Sequence, residues 1–509
     1  MSITTIVCSP YELKGELTQI MEEEFSISPG MAAEAYDNRL DEYFRRLKED
    51  MQLVIEYPYV DKVYRDSYYA YFSSKRRRYQ KDCIRVSLFD GEVLPEHFRS
   101  AAGVASLQER YRGFVVLRPT MPNIIGRSVV SPYALQEHRF LSLAGKYQTT
   151  VNAVKLVATG FPHASQDTET LTCAETSLWA VMEYFAGRYP EYKPVMPSVI
   201  TDTLRSRSSF RQIPSEGLNI EQMGFALREF GFGTKAYSRA RLSQGSFLNL
   251  LSVYVESGIP LLVAVSNRHC GGTIGHAMLI VGRSETSDTD IDQLTVEQEE
   301  NQVLAEAMRC SGVSIIDNAA MKRNFVFIDD NFPAYQLARL EQPTSYYRDP
   351  EWQKCEITHF LVPLYPKVYL EAVEARDYMK QLLLDDVLGI PAGAELFVRI
   401  FLTSSRSYKD YWALEPGFHR DFKDLIVTVP MPKFIWVGEI SSRRLIKQRK
   451  AKGFIVLDAT EPRMFNYGAL IAWGYNDRVC CKNGLGGQLI QNYLPLGAFN
   501  IFINNLNGF

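Results

Sequence analysis

The stretch CAETSLWAVMEYFAGRY, residues 173–189, decides the fold of this chain. Its apolar residues recur at helical spacing, with Leu178, Val181 and Phe185 on one face, and the stretch therefore predicts an amphipathic helix. Cys173 then lies in the first helical turn, where unpaired backbone N–H groups and the helix dipole favour a negatively charged sulfur. A nucleophilic cysteine needs this setting together with a base, whereas a small buried cysteine without reactivity is the structural alternative.

A histidine at the start of a strand is the candidate base. The segments SGIPLLVAV (257–265) and GHAMLIVG (275–282) are typical of two apolar strands, and His276 stands at the beginning of the second. The small residue before it lets the imidazole reach into a cleft, while the strand holds it rigidly. A histidine with a purely structural role is the alternative interpretation.

The segment FVFIDDNFPAY (325–335) supplies the candidate carboxylate, because an apolar strand ends there in two aspartates. We expect one of these two carboxylates to accept the Nδ1–H of His276, which fixes the tautomer and stabilises the imidazolium. Asp329 and Asp330 are both candidates at this point. An Asx turn that closes the strand before proline is the structural alternative.

The order of these elements resembles the papain-like cysteine peptidases, most of all the bacterial branch that includes the double-glycine leader peptidase domains of bacteriocin exporters. In that branch a cysteine opens a helix, and a second helix ending in Gly-Phe follows, like GLNIEQMGFALREFGFGT (217–234). A Gly-x-Pro strand, a Gly-His strand and a strand ending in Asp complete the order. The resemblance covers about residues 160–340 and implies an α+β fold, with the cysteine-bearing helix against an antiparallel sheet.

The resemblance also implies roles for individual residues. Cys173 is the nucleophile, His276 the base and later the general acid, and Asp329 orients the imidazole. Asp330 is the second choice for this last role, since a change of register by one residue turns a strand residue to the other face. A glutamine before the cysteine helps to form the oxyanion hole in this family, and Gln166 is the counterpart here, one residue further from the cysteine than usual. The implied reaction is hydrolysis of a peptide or isopeptide bond, although the same triad serves deamidation and transglutamination. The resemblance implies no cofactor and no metal.

A function of a different class stays open beside this one. A papain-like fold can lack catalysis and serve as a binding or regulatory scaffold, because a fold does not imply a function. The departure at Gln166 keeps this alternative in view. The expected partner is a protein or peptide substrate, and the regions that flank the hydrolase domain are candidate surfaces for a partner protein.

The length of 509 residues exceeds one ordinary hydrophobic core and predicts several domains. We expect an N-terminal accessory domain at 1–155 that begins with a helix over 31–53, a hydrolase domain at 156–365, and a C-terminal accessory domain with strands at 366–509. Residues 284–307 are acidic and poor in aromatic residues, which predicts a poorly ordered surface insertion between two strands.

Composition and charge exclude several classes of protein. Hydrophobic residues make up 46% and charged residues 23% of the chain, the net charge is −3, and eight scattered cysteines match neither a disulfide framework nor a zinc site. Neither a signal peptide nor a membrane span is predicted, so a cytoplasmic protein is expected. The resemblance to the bacterial branch implies a bacterial source. The aromatic and basic stretch 57–79 predicts a packed helix face through Val60, Tyr64, Tyr68 and Tyr71 rather than a nucleic-acid surface.

Overall fold

The computed structural model describes residues 3–167, 169–205, 218–296, 299–385, 387–462, 468–482 and 488–508. The fold is mixed α+β, with 36% helix and 29% strand, and this part of the predicted fold class is confirmed. Three large sheets organise it, one in each third of the chain. The glycine-rich sequence KNGLGGQ at 482–488 predicts a turn, and its residues 483–487 lie outside the described residues.

The first third builds a seven-stranded antiparallel sheet. Its helices are α1 (Leu13–Phe25), α2 (Pro29–Ala35), α3 (Asp41–Arg45), α4 (Lys62–Ala70) and α5 (Ala101–Arg110). Its strands are β1 (Thr4–Cys8), β2 (Met51–Tyr59), β3 (Cys83–Asp90), β4 (Tyr111–Leu117), β5 (Ser128–Val130), β6 (Phe140–Ser142), β7 (Gly145–Val151) and β8 (Val154–His163). The sheet order is β1-β2-β3-β4-β5-β8-β7, and β6 lies outside it. The helix predicted over 31–53 ends at Arg45, because the β-branched run that follows Met51 pairs as β2.

The middle third carries the second sheet. Its helices are α6 (Cys173–Arg188), α7 (Pro197–Arg205), α8 (Ile220–Glu229), α9 (Gln244–Glu256), α10 (Asp288–Asp292), α11 (Gln302–Ser311) and α12 (Pro350–Gln353). Its strands are β9 (Lys235–Ser238), β10 (Leu261–Ser266), β11 (Gly275–Ser284), β12 (Ser314–Asp317), β13 (Asn324–Ile328), β14 (Gln336–Arg339) and β15 (Glu356–Val362). The antiparallel order is β14-β13-β11-β10-β15-β9, and β6 also pairs with β11.

The last third forms the third sheet. Its helices are α13 (Ala372–Leu384), α14 (Ser405–Leu414), α15 (Arg420–Thr428) and α16 (Arg443–Lys447). Its strands are β16 (Glu395–Ser404), β17 (Phe434–Ser441), β18 (Lys450–Ala451), β19 (Gly453–Asp458), β20 (Leu470–Tyr475), β21 (Arg478–Lys482), β22 (Leu489–Tyr493), β23 (Phe499–Asn500) and β24 (Asn507–Gly508). The sheet order is β12-β16-β17-β19-β20-β21-β22, with β12 and β16 parallel.

Strand pairing crosses both expected domain boundaries. β8 carries the first sheet beyond residue 155, β12 leaves the middle third to join the third sheet, and β24 returns to pair with β6. One hydrophobic core also runs from α9 through β10 and β15 to β19 and β21. The limits at 155 and 365 stay predictions about folding units, but the C-terminal third is not separate from the middle third in its strand pairing.

The acidic insertion is better packed than its composition predicts. Ile291 and Leu294 are buried against Phe397 and Ile446, so the segment contributes to a small core between the middle and last thirds. Ser287 and Asp290 form a capping box that begins α10. Most described residues of 284–307 are exposed, so the predicted surface insertion is confirmed, but the predicted poor order is wrong, because a few well-spaced apolar residues suffice to anchor a polar segment.

Residues 62–70 of the aromatic stretch at 57–79 form α4, and the Asp61 carboxylate caps this helix by accepting the backbone N–H groups of Val63 and Tyr64. Tyr64 is buried and Tyr68 is partly buried, as a packed face requires. Val60 is exposed, in contrast to the prediction, because it precedes the helix. Among the described residues, no helix combines the length and the apolar character that crossing a membrane requires.

Candidate active site

Helix α6 presents Cys173 as its first residue. Thr172 precedes it in an extended conformation, as an N-cap residue does. The turn before the helix is shaped by Asp167, whose Oδ1 accepts the backbone N–H groups of three residues, Glu169, Thr170 and Leu171. This turn is what places a cysteine, with its thiol partly exposed, at the helix N-terminus.

The helix itself is buried on every side. All residues from Ala174 to Phe185 are buried, because α6 packs against β7 and β8 of the first sheet and against β11 of the second. The sequence predicted a helix with one apolar face, and the observed helix is instead enclosed between two sheets. Such a helix is a rigid support for the side chain at its first position.

His276 lies near the start of β11, opposite Val265 of β10. Its side chain is 4% exposed. The neighbouring strand β13 runs antiparallel to β11 and ends at Ile328, which lies opposite Leu279. The residues after Ile328 therefore continue alongside the residues before Leu279, and this register brings Asp329 and Asp330 to His276.

The imidazole of His276 links the two other candidate residues. Its Nε2 lies 2.9 Å from Oδ1 of Asp329 and 3.6 Å from Oδ1 of Asp330. The Cys173 thiol is the third partner, since it is among the neighbouring groups that raise the pKa of His276. The prediction that the carboxylate accepts the Nδ1–H is wrong, since Nε2 is the ring nitrogen that lies against Asp329.

Asp329 is held by several donors at once. The hydroxyl groups of Tyr346 and Tyr347 each donate to Oδ2 at 2.8 Å, and the backbone N–H of Asn331 donates to Oδ1 at 3.0 Å. Burial raises the pKa of Asp329, but the charge and the hydrogen bonds of His276 outweigh burial and hold the pKa below its usual value. The carboxylate is therefore ionised and fixed in orientation.

The electrostatics of His276 follow from these neighbours. Burial alone lowers the pKa of His276, because the charged imidazolium loses water. The Asp329 carboxylate opposes this effect through its charge and its hydrogen bond, and the neighbouring Cys173 thiol and the charge of Asp330 act in the same direction. The net result is a pKa well above the usual value, so that the site favours the imidazolium.

Asp330 has a different environment. Its side chain is 4% exposed, and neither carboxylate oxygen has a hydrogen-bond partner among the described residues. Burial and the charge of Asp329 raise the pKa of Asp330 to about 7, although His276 and Arg39 lower it. Both aspartates come close to the imidazole because they follow β13 rather than lie within it, so strand alternation does not separate them.

Sequence reasoning missed an aromatic cover over the histidine. Trp352 lies edge-to-face on the His276 ring, with ring centroids 5.3 Å apart, and stacks on Tyr347 at 4.2 Å. Tyr346 and Tyr347 were also missed, because they follow Asp329 by 17 and 18 residues and belong to no local motif. The Tyr-Tyr pair and Trp352, close together in sequence, are the one signal that could have drawn attention to this loop.

Gln166 reaches the same loop by a different route. Its Nε2 donates to Oδ1 of Asn331 at 3.3 Å, and the Asn331 Nδ2 donates to the Tyr347 hydroxyl at 3.2 Å. The amide of Gln166 is thereby connected to the residues that hold Asp329. The structure brings Gln166 into the neighbourhood of the site.

Among the described residues, one set of side chains has the proximity that a metal ion requires. One potential ligand atom each from His276, Asp329 and Asp330 lies within 4.8 Å of the others. Two of these atoms, on His276 and Asp329, are already engaged in the hydrogen bond between them. Comparison with protein-family models and with curated proteins gives no match.

Proposed function

We propose that this chain is a cysteine hydrolase of papain-like fold that cleaves a peptide or isopeptide bond. The observation that carries the proposal is a single buried imidazole whose Nε2 lies 2.9 Å from Asp329 Oδ1 and whose pKa is raised by the neighbouring Cys173 thiol as well as by Asp329. A nucleophile, a base and a group that orients the base are the parts that thiol-based acyl transfer needs. A cysteine-bearing helix that packs on an antiparallel sheet supports the papain-like part of the proposal.

The proposed reaction has two halves. The Cys173 sulfur attacks the carbonyl carbon, the carbon–nitrogen bond breaks, and the His276 imidazolium gives its proton to the leaving nitrogen. Water then attacks the resulting thioester while His276 takes a proton from it, and the acid leaves as the thiol is restored. Asp329 keeps its charge throughout and stabilises the imidazolium.

The oxyanion formed in each half needs hydrogen-bond donors. The backbone N–H of Cys173 is one of the four at the start of α6 that no carbonyl within the helix accepts. Gln166 is the proposed second donor, as the resemblance implies. A side-chain amide carries two hydrogens, so the bond to Asn331 leaves one that can point at an oxyanion.

Alkylation of thiols tests the proposal within one molecule. Wild-type protein is treated with iodoacetamide from pH 5 to pH 9, and mass spectrometry measures the rate at each cysteine. The exposed cysteines Cys270 and Cys310 serve as internal references. We expect Cys173 to react at pH 5 to 6, where ordinary thiols are protonated, and His276→Ala to remove this advantage.

Cleavage of a peptide library, with Cys173→Ala as the matched control, provides the second test. Cleavage by the wild type alone supports the hydrolase. If Cys173 reacts like Cys310 at every pH and wild type and Cys173→Ala release the same products, the hydrolase proposal fails and the scaffold function takes its place.

A further inference from the structure

A cavity of about 380 Å³ lies between the middle and last thirds of the chain, and its lining shares no residue with the candidate active site. Its walls come from the end of β11, the loop that follows it, the region around α16 and the segment 500–508. We call it the tail cavity. Its size falls within the range of small-molecule sites.

Most of the tail cavity is apolar. Side chains from four separate parts of the chain form this wall, and they are Leu141, Ile291, Ile446, Ile501, Phe502 and Leu506. At about 30 Å³ for each water-sized group, the cavity has room for roughly a dozen non-hydrogen atoms. An apolar ligand body of that size would gain from leaving water.

The polar part of the lining is cationic where it is buried. Arg283 and Arg399 both reach the cavity, and both also bind the buried carboxylate of Glu256. Arg323 binds the same carboxylate at 2.6 Å, and Arg399 contacts Glu439 at 2.9 Å. Three guanidinium groups thus share two carboxylates.

This network leaves one positive charge uncompensated. All five side chains are at most 9% exposed, so water screens the excess charge poorly. The charged residues at the mouth of the cavity, unlike the buried network, include both signs in equal number. Glu285 and Asp288 are exposed there, and they lie in the lining together with Lys447 and Arg449. The excess charge therefore lies at the floor, next to the apolar wall.

We propose that the tail cavity binds a small organic anion with an apolar body, of the class of medium-chain carboxylates. The carboxylate lies against Arg283 and Arg399, where it neutralises the excess charge and accepts guanidinium hydrogen bonds. The chain lies along the apolar wall formed by Ile446, Ile501 and Phe502. A carboxylate without an alkyl chain would leave the apolar wall uncovered. An alkyl chain without a carboxylate would leave the excess positive charge of the arginines unpaired.

Titration calorimetry on the full chain tests this inference with three probes. Decanoate has both features, decanol lacks the charge, and acetate lacks the apolar body. We expect decanoate to bind one molecule per chain at least tenfold more tightly than either of the others. Equal binding of decanol and decanoate, or no heat with decanoate, overturns the inference.

Filling the tail cavity with a larger side chain tests whether decanoate binds there. Ile501→Trp places a larger side chain in the cavity and is expected to weaken decanoate binding at least tenfold. Ile490→Trp makes the same exchange on β22, outside the lining, and should bind like the wild type. Thermal melts of both variants show that they are folded. If folded Ile501→Trp binds decanoate as the wild type does, the anion sits elsewhere and the inference is wrong.

Discussion

Asp329 and Asp330 are neighbours in the chain and both lie within 4 Å of the His276 Nε2, yet only Asp329 is hydrogen-bonded. Asp329 accepts from the imidazole, from two tyrosine hydroxyls and from a backbone N–H, whereas the buried side chain of Asp330 has no hydrogen-bond partner among the described residues. One histidine thus stands between an ionised carboxylate and a carboxyl group that resists ionisation.

Replacing Asp330 by asparagine should stabilise the protein at alkaline pH. Because the folded-state pKa of about 7 exceeds the ordinary value of 3.8, the folded protein holds a proton that the unfolded chain has released. The stability that this proton contributes is complete below pH 3.8 and is lost as pH rises through 7. Asp330→Asn should therefore gain on the order of 3 kcal/mol relative to wild type between pH 4 and pH 8, measured by urea unfolding. A difference that is the same at both pH values would show that Asp330 titrates normally.

Removing the proposed nucleophile should separate activity from stability. Cys173→Ala should abolish turnover and leave the melting temperature nearly unchanged, since its thiol is partly exposed. His276→Ala should also abolish turnover but lower the melting temperature, because Asp329 loses its cationic partner in a buried site. The double variant should lose no more activity than either single variant. Additive losses in the double variant would contradict a shared step.

Asp329→Ala should retain residual turnover, since this residue orients the imidazole and does not carry the proton. Asp330→Ala is its matched control at the adjacent position. A greater loss of activity in Asp330→Ala would transfer the orienting role to Asp330.

Much of this site is local in sequence, and that part could be predicted. Cys173, His276 and Asp329 each stand at the end of a helix or strand whose apolar pattern is evident, so their elements followed from periodicity. The ring nitrogen that Asp329 contacts depends on the rotation of one side chain, which no pattern encodes. Tyr346, Tyr347 and Trp352 reach the site through a loop, and loop geometry is set by tertiary contacts rather than by spacing.

The sequence also gives no basis for predicting which strands pair across the expected domain boundaries. A strand as short as β12 or β24 has no alternation long enough to show which sheet it will join. The insertion over 284–307 was misjudged for a related reason, since its composition is polar on average while Ile291 and Leu294 are buried.

Truncating either of these two residues should measure how firmly the insertion is anchored. Ile291→Ala and Leu294→Ala are each expected to cost about 2–4 kcal/mol in urea unfolding, because each leaves a cavity in a shared core. Val296→Ala, in the same segment but 42% exposed, should change stability by less than about 0.5 kcal/mol. If all three substitutions change stability by equally small amounts, Ile291 and Leu294 do not anchor the insertion.

Replacing Glu256 by a neutral residue should strongly destabilise the protein. Burial raises the pKa of Glu256, but Arg283, Arg323 and Arg399 outweigh burial and hold the pKa far below its usual value. Glu256→Gln leaves three buried guanidinium groups facing an amide, and we expect a loss of about 3–5 kcal/mol. Glu306→Gln breaks an exposed pair with Arg309 and should leave the free energy of unfolding nearly unchanged. A loss below 1 kcal/mol for Glu256→Gln would mean that another anion compensates the cluster.

Gly282 should tolerate no side chain, because a Cβ there would lie 2.0 Å from the carbonyl oxygen of Leu141, where β6 pairs with β11. Gly282→Ala is expected to cost more than about 2 kcal/mol. On the same strand, Gly275→Ala has its nearest neighbouring atom 3.9 Å away and should be accepted. A stable Gly282→Ala would indicate that β6 can leave the sheet at little cost.

The large sequence separation between β12 and its partner strand affects how the chain folds during its synthesis. Residues 314–317 of β12 are synthesised well before its parallel partner β16, which begins at Glu395. The interval between β6 and its partner β24 at residues 507–508 is longer still. At a synthesis rate of roughly 5–20 residues per second, the nascent chain spends several seconds with the apolar face of α9 and the edge of β12 uncovered. A ribosome-bound chain that stops near residue 365 should therefore bind chaperones and be cut readily by proteases, until its own C-terminal third arrives to cover it.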